Sequence, residues 1–469
     1  MRPKPLLGAG ILCTLAAGCA ATVDVRAPQE LPATFENAQP QSDARWPAED
    51  WYGAFSSAEL NTLVSAAVAA SGNGNLAAAR ARVVQADARA RQAGAAILPG
   101  VTAQGNANYL GGHSAQGSGH ETDWAALLSA SYEVDFWGKN RAASDSARYL
   151  AAAARAERDT VALTTLAAVA DGYFQVLALR ERLSTAREDL ETAQQLLRMV
   201  QARFAAGAAT PVELATQTAA ADKAALRVPE LQQQEQEARA ALALLVGHTP
   251  EGFDVGGELL DAITEPAVGA GLPSQLLTRR PDVFLVEATL RSARADITVA
   301  RAAMLPGLSL TAAGGVQNPA LNAAILSIPG TGATVALSGT LVATIFDRGR
   351  LAARHAEAEA RYREMLADYR SAILAALGDT ENALALIRHL DEAQELQSDA
   401  LTQAQRAFLG ARARYQAGVG DHLTLLEAQR SLHDARDQFI QYRLARLQAR
   451  VALCKALGGG WQTGTGGRP

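Results

Sequence analysis

The residues with the most chemistry to offer here are three cysteines, seven histidines and four methionines. Their spacing assembles no catalytic centre. The chain has no HExxH, no CxxC and no glycine-rich phosphate loop with its lysine. Those are the patterns that set imidazoles, thiolates or backbone N–H groups around one ligand. His113 and His120 share a Gly/Ser-rich stretch that reads as the exposed tip of a loop between strands. His389, His422 and His433 fall on helices without metal spacing to one another, and the scattered methionines form no relay for soft metals. The chain is therefore read as a non-enzyme, with no catalytic, cofactor-binding or metal residue assigned.

The cysteines carry a different chemistry. A short basic start, Met1 to Lys4, precedes an apolar run from Leu6 to Ala17 of signal-peptide length. The run ends in Leu15-Ala16-Ala17-Gly18-Cys19, which resembles a bacterial lipobox, although Ala16 rather than Leu stands three before the cysteine. Residues 1–18 are thus expected to leave as a signal peptide, with a palmitate-type lipid on Cys19 as the only non-protein group. An ordinary secretory signal with an incidental cysteine is the alternative. Ala20, where an Asp would divert sorting, resembles an outer-membrane address. With Cys13 removed and Cys19 acylated, Cys454 is left alone and no intramolecular disulfide is available.

Composition bounds the elements that surround these residues. Across 469 residues, 49% are apolar, 5% aromatic and 19% charged, and alanine supplies about a fifth of the chain. Alanine favours helix and buries little area, so such helices gain stability by packing closely along great lengths. A net charge of −5 argues against a nucleic-acid partner. After the leader, no stretch reaches eighteen continuous apolar residues, so any passage through a membrane must be made by strands.

The chain is written twice, at an offset of roughly 207 to 211 residues. Leu98-Pro99-Gly100-Val101 answers Leu305-Pro306-Gly307-Leu308, and Phe136-Trp137-Gly138-Lys139 answers Phe346-Asp347-Arg348-Gly349. Ala202-Arg203-Phe204-Ala205-Ala206-Gly207 answers Ala413-Arg414-Tyr415-Gln416-Ala417-Gly418. Each half runs helix, Leu-Pro break, two strands, one very long helix, a Gly turn and a returning helix. The resulting organisation is a lipid-anchored segment 19–56, a first repeat 57–262, a second repeat 263–458 and a disordered tail 459–469. Strands are expected near 100–110 and 124–137, then near 307–317 and 333–346. The proline-free stretches 138–206 and 349–417 predict helices of roughly 100 Å, too long to stand without a coiled-coil-like environment.

The seam of the first long helix is legible as Leu179, Leu183, Ala186, Leu190, Ala193, Leu197, Val200 and Phe204, alternating steps of four and three. Its counterpart (Leu390, Gln394, Gln397, Leu401, Ala404, Phe408, Ala411, Tyr415) is more polar, from packing in another register or from bordering water. Thr210-Pro211-Val212-Glu213 is a capping box, and Asp421 is placed to cap the equivalent helix. Arg203, Gly207, Arg414 and Gly418 therefore mark two helix-tip reversals.

The strands alternate with period two. Trp124, Ala126, Leu128, Ala130, Tyr132, Val134 and Phe136 share one face, against Ala125, Leu127, Ser129, Ser131, Glu133 and Asp135 on the other. Val101, Leu308 and Val335 open similar alternations. Thirteen residues with aromatics at both ends suit a tilted transmembrane strand. Four strands cannot close on themselves and lipid tolerates no open edge, so closure demands several copies.

The segment Gly271-Leu272-Pro273-Ser274-Gln275-Leu276-Leu277-Thr278-Arg279-Arg280-Pro281-Asp282-Val283 closely resembles the signature of the TolC-like outer-membrane factors, in particular their lipoprotein (NodT-type) branch. The resemblance runs from about Trp46 to Gly458 and takes in both helix tips. It implies a mainly α fold with a small β part: a coiled-coil tunnel plus four membrane strands per chain, closing as a homotrimer into a twelve-stranded barrel. It implies an outer-membrane exit channel of a tripartite efflux system for small molecules such as drugs, with a type I protein-secretion duct as the alternative. The implied partners are a periplasmic adaptor, an inner-membrane transporter of the RND type and outer-membrane lipid. The implied gate lies at the periplasmic tips, with Glu213 as a link acid, Tyr415 as its partner, and Gln416, Gly420 and Asp421 in the constriction. Lipoprotein members can carry an acid at the position of Gly420, whereas this chain offers Asp421 one residue later. A threefold ring of Asp421 carboxylates would attract cations and raise its own pKa.

Overall fold

A computed structural model describes residues 32–38, 46–69, 72–114, 117–256, 259–317 and 333–461. Cys19, the leader and residues 462–469 lie outside the described residues. Seven helices and four strands matter for function: α1 Ala58–Val68, α2 Gly74–Ala95, β1 Gly100–Ser114, β2 Gly117–Val134, α3 Lys139–Ala205, α4 Pro211–Leu245, α5 Pro281–Ala302, β3 Gly307–Gln317, β4 Ala333–Val342, α6 Arg350–Gln416 and α7 His422–Ala456. The duplication is visible in their lengths. Both long helices have 67 residues, both returning helices 35, and both helices that enter the sheet 22.

The strands form one antiparallel sheet in the order β1-β2-β3-β4. Directly paired residues share a face, and the register brings the four apolar alternations to the same one. Val101, Ala130, Ala312 and Leu337 stand in one row, and Val134, Leu308 and Leu341 in another. The opposite face carries Thr102 and Ser129, whose hydroxyls lie 2.8 Å apart, and the row Ser131, Thr311 and Ser338. The apolar face is open, with Val335 87% and Leu337 83% exposed. A surface of that kind needs lipid or protein over it. β1 and β4 are both edges with unpaired ladder groups.

Strand limits differ from the alternation-based expectation in ways the caps explain. β2 ends at Val134 because Asp135 leaves the ladder to cap α3, accepting from the N–H groups of Asn140 and Arg141 at 3.1 and 2.9 Å. Likewise β4 stops at Val342, and Asp347 accepts from the N–H groups of Gly349 and Leu351. At the other end the β1–β2 hairpin runs past residue 110, pairing His113 with Ser118 and Gly111 with His120. These histidines stand on strands, not on a loop tip. Glycine erased the side-chain alternation there, and backbone pairing does not need it.

Below the sheet the helices form a wall one helix thick. α3 packs against α2 and α5, and α5 against α6. Farther down, α3 packs against α4 and α7, and α7 against α6. The short helices thus share the flanks of the two long ones. One stretch of α3 is long and apolar enough to cross a membrane by composition, but half of it is buried within this chain. Tyr173, Phe174 and Leu177 pack there with Trp51, Phe55, Leu60, Leu242 and Val451 in the largest core. Phe35, from the N-terminal segment, inserts between α6 and α7 beside Leu384 and Leu453. Trp461 packs at a tilt against Phe284 and donates to Asp159 at 2.9 Å, so the expected disorder does not begin at residue 459.

Candidate functional site: the paired helix tips

Both long helices end in the same device. Gly207 has φ +71° and Gly418 φ +76°, a left-handed conformation that a side chain would strain. Ala208 N–H returns to Arg203 O at 2.8 Å and Val419 N–H to Arg414 O at 3.1 Å. Gly207 N–H and Gly418 N–H close the inner bond to Phe204 O and Tyr415 O. This is the Schellman ending, which satisfies carbonyls the helix leaves open. The returning helices begin two to three residues later with their own caps. Thr210 Oγ1 accepts from Glu213 N–H at 3.2 Å, and a Glu213 carboxylate oxygen accepts from Thr210 N–H at 3.1 Å. Asp421 accepts from the N–H and the hydroxyl of Thr424 at 2.8 and 2.7 Å.

Arg203 joins the two tips. Its Nη1 donates to Tyr415 O at 2.7 Å, at the electronegative end of α6, and its guanidinium lies 4.5 Å from the centre of the Tyr415 ring. Tyr415 is 2% exposed and meets the edge of His422 at 5.9 Å. His422 Nε2 lies 3.2 Å from Oε1 of the fully buried Gln217 on α4. One compact cluster therefore holds α3, α4, α6 and α7 together. The sequence-level assignment of Arg203 stopped at its own turn. Its partner is 212 residues away, and no local pattern points there.

The tip residues divide by what they touch. Within one protomer Glu213 is occupied by its capping box, and the Tyr415 hydroxyl has no hydrogen-bond partner among the described residues. The expected Glu213–Tyr415 link is therefore not formed in the chain. Burial pushes the Tyr415 hydroxyl above its usual range against the charge of Arg203, with the Glu213 charge adding to the rise. The Asp421 carboxylate is exposed, and within the protomer the Thr424 N–H and hydroxyl hold it below the usual range. Gln416 and Arg414 are exposed. At Gly420 a Cβ would stand 3.0 Å from both Arg414 Cβ and Tyr415 N, so an acid there would need the end of α6 to give by a few tenths of an ångström.

Above the tips, the joint between the α3/α4 pair and the α6/α7 pair is polar. Asp437 accepts from Arg182 at 2.7 Å and pairs with Arg227 at 2.8 Å. Asp189 accepts from Arg436 at 2.9 Å, with His433 Nε2 3.4 Å away. This shifts the seam of α3. Leu179, Ala186, Ala193 and Val200 are buried as expected, but Asp189 and Leu196 fill the alternate positions instead of Leu190 and Leu197. On α6, Leu390, Ala404, Phe408 and Tyr415 are buried, while Gln394 is exposed.

Burial lowers the pKa of His433, against the opposing charge of Asp189, and burial likewise lowers that of His422. Their stabilising contribution is thus complete above the unfolded value, about 6.5, and is lost as pH falls through the folded values. Asp189 is raised by burial, so its contribution runs the other way, in a more acidic window. On acidification from pH 7 to 5 the two histidines lower the thermal midpoint, while Asp171, pushed up by burial to about 6, works against that fall. The fall should be shallower in a His422→Gln, His433→Gln variant, and equal slopes would count against these two as the titrating groups.

Comparisons with known proteins follow the same geometry. The model of the outer membrane efflux protein family matches residues 67–248 and again 272–459. The pyoverdine export outer membrane protein OpmQ of Pseudomonas aeruginosa is 43% identical over 431 residues, 88% of each chain. Outer membrane protein OprJ of the same organism is 31% identical over 428 residues, 88% of this chain and 87% of its own. Among solved structures, the outer-membrane channel OprN superposes with a TM-score of 0.85 at 28% identity, over 95% of this chain and 100% of that one. Both repeats are matched, and relatives align over most of both chains: this protein belongs to the outer membrane efflux protein family.

Proposed function

We propose that three copies of this chain form the exit duct of a tripartite pump, with a gate at the periplasmic tips. The family and fold make it an outer-membrane efflux channel, and channels of this fold are trimers with a single shared barrel. The observation that carries the proposal is the four-stranded sheet itself. One face is apolar and open, the other hydroxyl-lined, and both edges are unpaired above a helical wall about 100 Å long. Three such sheets give twelve strands, lipid outside and a polar lumen inside. A lipid on Cys19 would fix the N-terminal segment to the same membrane, and Phe35 ties that segment to the helical wall.

The partners in this reading are a periplasmic adaptor meeting the tips and an RND-type transporter in the inner membrane. A relative named for pyoverdine export supports a secreted metabolite as cargo, in preference to the polypeptide of a type I secretion duct. The gate we assign to the Arg203–Tyr415–His422–Gln217 cluster, with Asp421 and Gln416 exposed beyond it. Glu213 acts through the cap of α4.

Single-channel recording in planar bilayers tests the duct and the gate together. The wild type is expected to conduct in brief, small openings. Arg203→Ala removes the bond to Tyr415 O and the ring contact, and is expected to raise open probability severalfold. Tyr415→Phe removes only an unpartnered hydroxyl and should change little. Equal effects from the two variants, or no channels from the wild type, would contradict the assignment.

A further inference from the structure

Just below the sheet, α3 carries Arg141, Arg148 and Arg155 at seven-residue spacing. At 3.6 residues per turn, these three fall about 160–200° around the helix from Lys139. Lys139 pairs with Glu133, which stands on the polar, lumen-side face of β2 beside Ser131 and Ser129. The arginine stripe therefore faces the exterior, below the lipid-facing surface of the sheet. The flanks of α3 agree with this. Ser144 is buried toward Gly94 of α2 on one side, and Ser146 bonds Ser292 of α5 at 2.9 Å on the other.

Between α2 and α3 the stripe borders an open cleft of about 430 Å³, lined by Asp87, Ala90, Arg91, Gly94, Arg148 and Arg155. Side chains on a helix lean toward its N-terminus. α3 begins at the barrel, so Arg148 and Arg155 lean up toward the membrane. α2 ends at the barrel, so Arg91 leans down into the same cleft. Three arginines face one aspartate there. Asp87 is engaged by Arg155 at 2.5 Å, Arg148 leans on Asp145 at 3.5 Å, and Arg91 makes no ion pair among the described residues. The paired arginines remain 46% and 59% exposed, so these bridges add little to folding and leave donors free. Arg148 starts about 13 Å below the first residue of α3. Its leaning side chain brings the guanidinium close to the headgroup layer, which is about 5–7 Å thick. Phe136 and Trp137, 67% and 49% exposed, mark the interface just above.

We infer that this cleft binds the phosphate of an anionic phospholipid headgroup from the leaflet at the periplasmic rim of the barrel. Arg91 and Arg148 supply planar forks that match phosphate oxygens, and the acyl chains lie against the apolar face of the sheet. The inference rests on the barrel reading and adds a lipid-selective site to it.

Native mass spectrometry of the detergent-solubilised trimer, mixed with equal amounts of phosphatidylglycerol and phosphatidylcholine of matched chains, tests it. The trimer mass is read in the same spectrum, so a failure of the barrel reading is seen separately from a failure to retain lipid. Phosphatidylglycerol is expected to be retained in preference, and millimolar inorganic phosphate should not displace it. Arg91→Gln with Arg148→Gln should cut that preference roughly twenty-five-fold, at about fivefold per arginine. The charge-matched pair Arg198→Gln with Arg406→Gln, exposed sites on α3 and α6 far from the cleft, should keep it. Equal retention of the two lipids, equal loss in the two variant pairs, or displacement by inorganic phosphate would each overturn the assignment.

Discussion

Replacing Arg280 by alanine is expected to cost about 3–5 kcal/mol, the loss typical of breaking a buried charge cluster from one side. Its side chain is 9% exposed and makes contacts in three directions. Nε and Nη2 hold both Asp282 oxygens at 3.0 and 2.6 Å, Nη2 also reaches Asp379 at 3.0 Å, and Nη1 donates to Ala456 O at 3.1 Å. The start of α5, the middle of α6 and the end of α7 are thereby tied to one guanidinium. Burial works against its charge, yet the two carboxylates outweigh burial and raise its pKa, while Arg280 in turn holds Asp282 low against burial. Asp379 is largely exposed and contributes less than its distance suggests. Arg280→Lys keeps the charge but not the fork, and an intermediate loss is expected. The adjacent Arg279 lies 4.6 Å over the Trp46 ring, and Arg279→Ala should cost about 1 kcal/mol or less. Thermal unfolding of the purified variants checks the contrast. Equal shifts for the two arginines would contradict it.

The second large effect is expected in the sheet, where two neighbouring positions should behave oppositely. Leu337 stands on the open apolar face, in the row of Val101, Ala130 and Ala312, while Ser338 stands on the other face opposite Thr311. In a bilayer, Leu337→Arg puts a charge against hydrocarbon at about 2–4 kcal/mol per chain. A trimer meets that three times. Ser338→Arg puts the same charge into a wet lumen. Leu337→Arg is therefore expected to deplete the trimer from outer-membrane fractions. Ser338→Arg should assemble normally and shift conductance and ion selectivity toward anions. Depletion by Ser338→Arg with tolerance of Leu337→Arg would reverse the assignment of the two faces.

Much of this was legible in the residues because it depends on short-range periodicity. Period-two alternation located four strands and the residues that share a face, and proline-free length located the two long helices. The capping box at Thr210–Glu213 and the cap at Asp421 were readable because both partners lie within three residues. Misreadings arose where a distant partner decided the outcome. Asp135 looked like a strand residue but is recruited by the helix that follows, the role Asp347 has in the second repeat. Asp189 takes a seam position expected of Leu190 because Arg436 from the other repeat neutralises it. Trp461 follows a glycine run that reads as disorder, yet it docks on Phe284 and Asp159.

The tips show the same division. Arg203, Gly207, Arg414 and Gly418 mark the turns in the sequence, and their geometry follows from the Schellman pattern. The residue that joins the two tips is not visible that way. Arg203 reaches Tyr415 only because duplication placed two similar turns side by side. Glu213, placed by resemblance as the link acid, is engaged in its own cap within the protomer.

The central claim is that the open-edged sheet and the long helices are one third of a membrane-anchored tunnel. Electron cryomicroscopy of the full-length protein purified in detergent tests that claim most directly. The account predicts a threefold particle with a single twelve-stranded barrel, β1 of one copy paired to β4 of the next, above a hollow helical cylinder of about 100 Å. A monomer with exposed sheet edges, or a barrel closed by any other number of chains, would contradict it.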